Sequence, residues 1–289
     1  MSQPIFLYWH QGWDDVPEVV KACRNSWESH HRDSTTFKIV PLCNQTVEQW
    51  LEPCADDDRQ KLEFFRWRLE NTTQAGSLAF YTDYLRLILT ETHGGFWIDA
   101  TVYCLRPFDT WLTPADAAMM PLSISPDRLF EVWFIDNRAK DPLITQWKNQ
   151  LGEPHFARRG YTRYIDDWST KPYQFSHWLF KLSRRSWILS GMLWNSTLTS
   201  KWLRIRPYFM VNYALHKVIT SGGHFKSRFI HILPIDLGAL MGLEMFDEIQ
   251  NPEKATELIA RAPFIKLSHK KDWGAINKHG LSIKKVLQG

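Results

Sequence analysis

Apolar positions in the first 140 residues follow two periods. "PIFLYW" (4–9) and "TFKIVPL" (36–42) are continuous apolar runs of strand length. Between them, "PEVVKACRNSWESHH" (17–31) sets Val19, Val20, Cys23 and Trp27 at helical spacing, with Pro17 at its start. This order predicts a βαβ opening. Helices are predicted at 46–52, 57–70 and, most strongly, 75–93, where Leu78, Tyr81, Leu85, Ile88 and Leu89 share one side and Gly94 supplies a stop. Short strands are predicted at 96–98, 102–104, 117–124 and 131–135.

Beyond Pro142 the pattern becomes mainly helical, with candidates at 142–151, 174–184, 187–199 and 208–220. "FIHILPI" (229–235) reads as a late strand, 251–262 as a helix, and 276–289 as a short helix and tail. No repeat, low-complexity tract or linker interrupts the chain. The expected fold is α/β, with one domain over 1–289: an α/β core at 1–140 and helical additions at 141–289.

Composition changes this picture in few places. The 15 Trp and 17 Phe suit either a Trp-rich core or surfaces that stack on flat rings or face membranes and sugars. A net charge of +4 is too mild to argue for nucleic acid, and fits an anionic small substrate or an anionic membrane. Cys23, Cys43, Cys54 and Cys104 form no C-x-x-C pair, as expected of scattered buried thiols in a reducing compartment. No signal peptide is read at the start, and no run reaches the ~18 to 20 apolar residues of a spanning helix. A cytoplasmic location is therefore expected. "FSHWLFKLSRRSWILSGMLW" (175–194) mixes apolar and basic residues, as do helices at the inner face of a membrane and pairs of packed core helices. Phosphate-loop, H-E-x-x-H and G-x-S-x-G motifs are absent, which removes the usual support for NTPase, zincin and hydrolase readings.

The chemistry concentrates in "DYLRLILTETHGGFWIDATVYC" (83–104). Asp83 and Arg86, three apart on the predicted helix, share a face. Alone they describe an ordinary ion pair on a helix surface. Asp99, however, ends a short apolar strand, and ligands of open α/β sheets bind beyond the carboxyl ends of strands. A buried carboxylate there needs a cation, a ligand hydroxyl or a metal-bound water, unless it merely caps a turn. Gly94 and Gly95 read as keeping the backbone approach open. His10 and Gln11 follow Trp9 at another strand end, where they can meet a ligand or simply bond the backbone. "KLSHKKDW" gathers Lys266, Ser268 and His269, in a closing segment or a solvated basic loop.

The central block, with "LYWHQGWDDVPEVVKACRNSW" near the start, resembles the bacterial capsular polysaccharide synthesis family. It is also similar to the wider DXD-containing sugar transferases, among them yeast initiating mannosyltransferases and the catalytic domains of clostridial glucosylating toxins. "APFIKLSHK" matches loosely. The resemblance implies a GT-A-like, Rossmann-type domain. Its expected reaction moves a sugar from a nucleotide-sugar donor to a hydroxyl of a saccharide or lipid-linked acceptor, in capsular or other surface polysaccharide synthesis, with retention. It implies Asp83, Arg86 and Asp99 as catalytic residues. Trp9 would lie on the base, and His10, Gln11, Gly94, Gly95, Thr101, Lys266, Ser268 and His269 beside the substrates. Residues 141–289 would be acceptor-side and closing segments. Asp99 aligns with the first acid of D-x-D, and Thr101 stands where the second belongs. A threonine hydroxyl is a weak ligand for a hard cation. Mn²⁺ or Mg²⁺ is then expected on Asp99, with His269 as a further ligand and the diphosphate holding most of the ion. The alternatives are transfer that uses positive side chains in place of a metal, and a non-catalytic nucleotide-sugar-binding or membrane-associated adaptor.

Overall fold

The computed structural model describes residues 2–71, 77–152, 163–165, 181–183, 185–199, 205–207, 209–221, 252–268 and 282–288, apart from the single positions 115, 122, 124 and 197. The βαβ opening forms as β1 (Gln3–Tyr8), α1 (Glu18–His30) and β2 (Phe37–Leu42). Helices α2 (Glu48–Leu51), α3 (Asp56–Asn71) and α4 (Ser77–His93) then lead to β3 (Phe96–Asp99), β4 (Val102–Cys104), β5 (Phe134–Asp136) and α5 (Pro142–Leu151). The main sheet has the order β2-β1-β3-β5. Its first two pairings are parallel, with Ile5 opposite both Ile39 and Phe96, and β5 closes the edge antiparallel to β3.

Strand alternation divides the core between the two faces of this sheet. Ile5, Leu7, Phe96 and Ile98 point to one face, with Trp27 of α1 and Phe108. Phe6, Tyr8 and Trp97 point to the other, with Tyr81, Tyr84, Leu85, Ile88 and Leu89 of α4. Asp99, two residues beyond Trp97, thereby inherits the α4 face. Trp27, Trp97, Trp147 and Trp194 are fully buried, so these four tryptophans are core residues.

In the second half, α6 (Trp187–Trp194) and α7 (Met210–Ser221) pack together, and α7 also packs on α5. Strands β6 (Arg163–Ile165) and β7 (Ile205–Pro207) form a short parallel pair that the apolar pattern does not predict. Then come α8 (Pro252–Arg261), β8 (Phe264–Lys266) and α9 (Ile283–Gln288). β8 is also unpredicted. It pairs antiparallel with β4, placing Lys266 opposite Val102. The expected late strand at 229–235 lies outside the described residues, as does most of 174–184, of which 181–183 are helical.

Two expected strands are corrected. The described residues of 117–124 form no strand, only a single bridge from Met119 to Asp136. Pro121 has no N–H with which to extend that ladder. The predicted strand at 131–135 begins later, at Phe134, because Val132 and Trp133 form a bend that turns the Val132 carbonyl to Arg86 of α4. The four cysteines are buried and free, as their spacing suggests.

The Gly94–Gly95 pair is also corrected. It precedes β3, whereas Asp99 ends it, and four residues of strand put ~10 Å between the two ends. Both glycines have positive φ, +72° and +74°. A Cβ on Gly95 would stand 2.2 Å from the Pro4 carbonyl oxygen, whereas one on Gly94 meets nothing closer than 3.4 Å. The pair turns the chain from α4 into the sheet; it does not open an approach to Asp99. Alanine at either position carries the left-handed backbone cost of about 1–2 kcal/mol, and only Gly95→Ala adds a backbone collision. Thermal melts should show Gly95→Ala losing far more stability than Gly94→Ala. Equal losses would contradict this packing.

Candidate active site

Three elements meet at the end of β3. From α4 come Asp83 and Arg86, one turn apart. The Arg86 guanidinium reaches Asp83 Oδ1 at 2.9 Å and Asp99 Oδ1 at 3.7 Å. It also donates to the carbonyls of Val132 at 2.6 Å and Thr82 at 3.3 Å, and lies 5.3 Å over the Trp97 ring. Trp97 Nε1 donates to Asp99 Oδ1 at 3.0 Å. From β8, Lys266 Nζ donates to Asp99 Oδ2 at 2.9 Å and to Thr101 Oγ1 at 2.8 Å. The β4–β8 register and the bond from Leu267 N–H to the Thr101 carbonyl fix Lys266 in that place.

Exposure separates these residues. The side chains of Asp83 and Arg86 are each 7% exposed, against 28% for Asp99 and 23% for Lys266. Arg86 is committed to two carboxylates and two carbonyls. In this arrangement it pairs with Asp83 and braces Asp99 from within the protein. Asp99 and Lys266 are the open members.

Electrostatics divides the two acids as well. Burial raises the pKa of Asp83 to about 7; Arg86 opposes the rise and the Asp99 charge adds to it. Burial also pushes Asp99 up, but Lys266 and Arg86, with hydrogen bonds from Lys266 and Trp97, bring it below the usual carboxylate range. Arg86 faces both acids, and the difference between them comes from Lys266 and Trp97, which reach only Asp99.

The remaining candidates are spread around this cluster. Trp9 follows β1, and its half-buried ring packs against the group formed by Val19, Val20, Cys23 and Ala100. His10 Nδ1 bonds the Tyr8 hydroxyl at 2.9 Å, and Tyr8 stacks on Trp97 at 6.3 Å, so His10 adjoins the site through two aromatic rings. Burial lowers the His10 pKa, assisted by Arg66. Gln11 is exposed, Thr101 buried and Ser268 half-buried. His269 lies outside the described residues. Trp97 and the Val132 carbonyl are site groups that sequence reasoning missed. For Trp97 a signal existed, since strand period places it on the face of Asp99.

The described residues do not fit a preformed Mn²⁺ or Mg²⁺ site. Such ions take carboxylates, phosphates and water, and here one accessible carboxylate already carries two cationic side chains. Among the described residues, no group of three His, Cys, Asp or Glu is placed to hold a metal ion.

Two outcomes follow from this geometry. NMR titration should find Asp83 ionising near neutrality, and Asp99→Asn should lower its pKa, because a like charge leaves and Arg86 is no longer shared. An unchanged Asp83 pKa would contradict the coupling. Arg86→Ala should cost more than about 2 kcal/mol of stability in denaturant unfolding, since the Val132 carbonyl loses its donor and the buried Asp83 its counter-ion. A loss under about 1 kcal/mol, the value of an exposed pair, would show that the brace is absent.

Comparison with known proteins adds the family. A solved structure titled "PaToxG Glycosyltransferase" is similar over 76% of this chain and 78% of its own, at 12% identity and a TM-score of 0.40. No curated protein sequence matches. The family described as "Capsular polysaccharide synthesis protein" matches residues 1–153, more than half of the 289, and the match takes in Asp83, Arg86, Asp99 and Thr101. The chain therefore belongs to the capsular polysaccharide synthesis protein family.

Proposed function

We propose that this protein is a glycosyltransferase of GT-A-like architecture, transferring a hexosyl group from a nucleotide-sugar to a hydroxyl of a saccharide or lipid-linked saccharide in surface polysaccharide synthesis. The observation that carries this reading is the braced, partly open Asp99–Lys266 pair at the carboxyl end of a parallel strand, in a member of this family. In the reaction, the bond from the anomeric carbon to the diphosphate oxygen breaks and a bond to the acceptor oxygen forms. The acceptor hydroxyl loses its proton, and the nucleoside diphosphate leaves. Retention follows if the acceptor enters on the leaving-group face, where the departing phosphate takes that proton.

Each group has a task in this scheme. Asp99 accepts from donor hydroxyls. Lys266 lies against the developing charge of the leaving diphosphate, where a fixed donor stabilises the transition state more than the ground state. The Asp83–Arg86 pair holds Asp99 in place. Trp9 offers a flat, half-buried ring beside the Ala100 turn, suited to a nucleobase. The second half is the acceptor side. Ile188, Leu189, Met192 and Leu198 are large apolar residues left exposed, with Lys181 and Arg185 exposed nearby. That combination suits an anionic lipid surface carrying a lipid-linked acceptor. Among the described residues, no helix is long and apolar enough to cross a membrane.

Screening a panel of nucleotide-sugars for hydrolysis and transfer should identify one donor, and Asp99→Asn, shown to be folded by circular dichroism, should abolish its turnover. Near wild-type turnover in that variant would refute the assignment. Trp9→Ala should weaken nucleoside diphosphate binding by ~1–3 kcal/mol; unchanged affinity would return Trp9 to the core. Sedimentation with vesicles containing phosphatidylglycerol should pull down the wild type and much less of an Ile188→Ser/Met192→Ser variant. Equal recovery of the two would exclude the lipid-facing role.

A further inference from the structure

We propose that Lys266 is the resident cation of the donor site and that the nucleoside diphosphate binds there without a divalent metal. This deepens the glycosyltransferase reading and rests on it. Position is the first argument. Lys266 Nζ lies between the first and third residues of the D-A-T segment, 2.9 Å from Asp99 Oδ2 and 2.8 Å from Thr101 Oγ1. An ion bridging those two positions would have to displace the ammonium, and it would meet Arg86 on the other oxygen of Asp99. Two cationic side chains around one carboxylate repel a dication.

Charge balance is the second argument. Two carboxylates and a divalent ion sum to zero, and so do one carboxylate and one ammonium. Replacing an acid by Thr101 while adding Lys266 thus keeps the electrostatic sum at the strand end with no ion to recruit. Thr101 takes part as a hydrogen-bond acceptor, which needs no charge. A dication at this place would lack the second carboxylate that usually helps to hold it.

The third argument is capacity and rigidity. An ammonium has three N–H donors, and two are committed here. Among the described residues nothing else accepts from it, which leaves the third for a phosphate oxygen, and the Lys266 side chain is 23% exposed. Its backbone is held in β8 against β4, and the following residue is tied to Thr101. Lys266 is therefore a positioned charge rather than a mobile surface lysine.

Calorimetry on the full-length protein separates the possibilities. Titrating Mn²⁺ alone should give no saturable binding. Titrating UDP and GDP in excess EDTA should show one of them binding, with Mn²⁺ changing the affinity by less than about twofold, under 0.5 kcal/mol. Lys266→Met should weaken that binding by about tenfold or more, as expected for a lost charge-assisted hydrogen bond, and Lys266→Arg should restore part of it. In Thr101→Asp/Lys266→Ser, Mn²⁺ should become a requirement for nucleotide binding. Saturable Mn²⁺ binding to the free wild type, or nucleotide binding that needs Mn²⁺, overturns the proposal even if Lys266→Met fails to fold. If neither nucleotide binds with or without Mn²⁺, the donor-site reading itself falls, and the proposal with it.

Discussion

The Asp99 carboxylate is held from three elements at once. Trp97 of its own strand donates to one oxygen, Lys266 of β8 donates to the other, and Arg86 of α4 stands 3.7 Å away. A carboxylate among apolar neighbours would otherwise be protonated or expelled. Each supporter also has a structural duty: Arg86 ties α4 to the Val132 turn, and Lys266 ties β8 to the segment leaving β3. Compensating one charge thus joins the main sheet, its covering helix and a strand that arrives more than 160 residues later in the chain.

That arrangement divides labour among the acids. Asp83 is nearly sealed and poised near neutrality, with its counter-ion shared. Asp99 is ionised and partly open. Keeping a buried pair beneath an exposed one costs desolvation, and in return it holds the outer carboxylate in one orientation. The aromatic rings extend the same principle. Trp97 carries Arg86 on its face and Tyr8 beside it, so the end of β1, with His10, is mechanically continuous with the end of β3.

The two-acid motif of the DXD-containing sugar transferases, which this sequence resembles, has an acid where this chain has Thr101. With Thr101 in the third position, a metal reading would look for missing ligands elsewhere in the chain. The positions of Asp99, Thr101 and Lys266 supply a simpler account, because an ammonium meets the hydrogen-bonding needs of both the acid and the threonine. The glycines before β3 belong to a different constraint. Gly95 is required because its backbone passes against Pro4, at the opposite end of the strand from Asp99.

Local pattern was sufficient for much of this protein. The period of apolar residues determined β1, α1, β2, α4 and α5, because each buries a face whose repeat is written in neighbouring residues. The i,i+3 spacing of Asp83 and Arg86, and the acid at the end of "FWID", were legible locally, and the fold brings the three together. What remained invisible was non-local. β8 is three residues long and too short to show a period, so its pairing with β4, and with it the place of Lys266, arises only when the chain folds. The Gly94–Gly95 pair adjoins Asp99 in sequence, yet an extended strand separates neighbours by over 3 Å per residue. The sequence by itself therefore determined which acid would need a partner. Only the tertiary structure decided that the partner is a lysine, because charge compensation depends on distance in space.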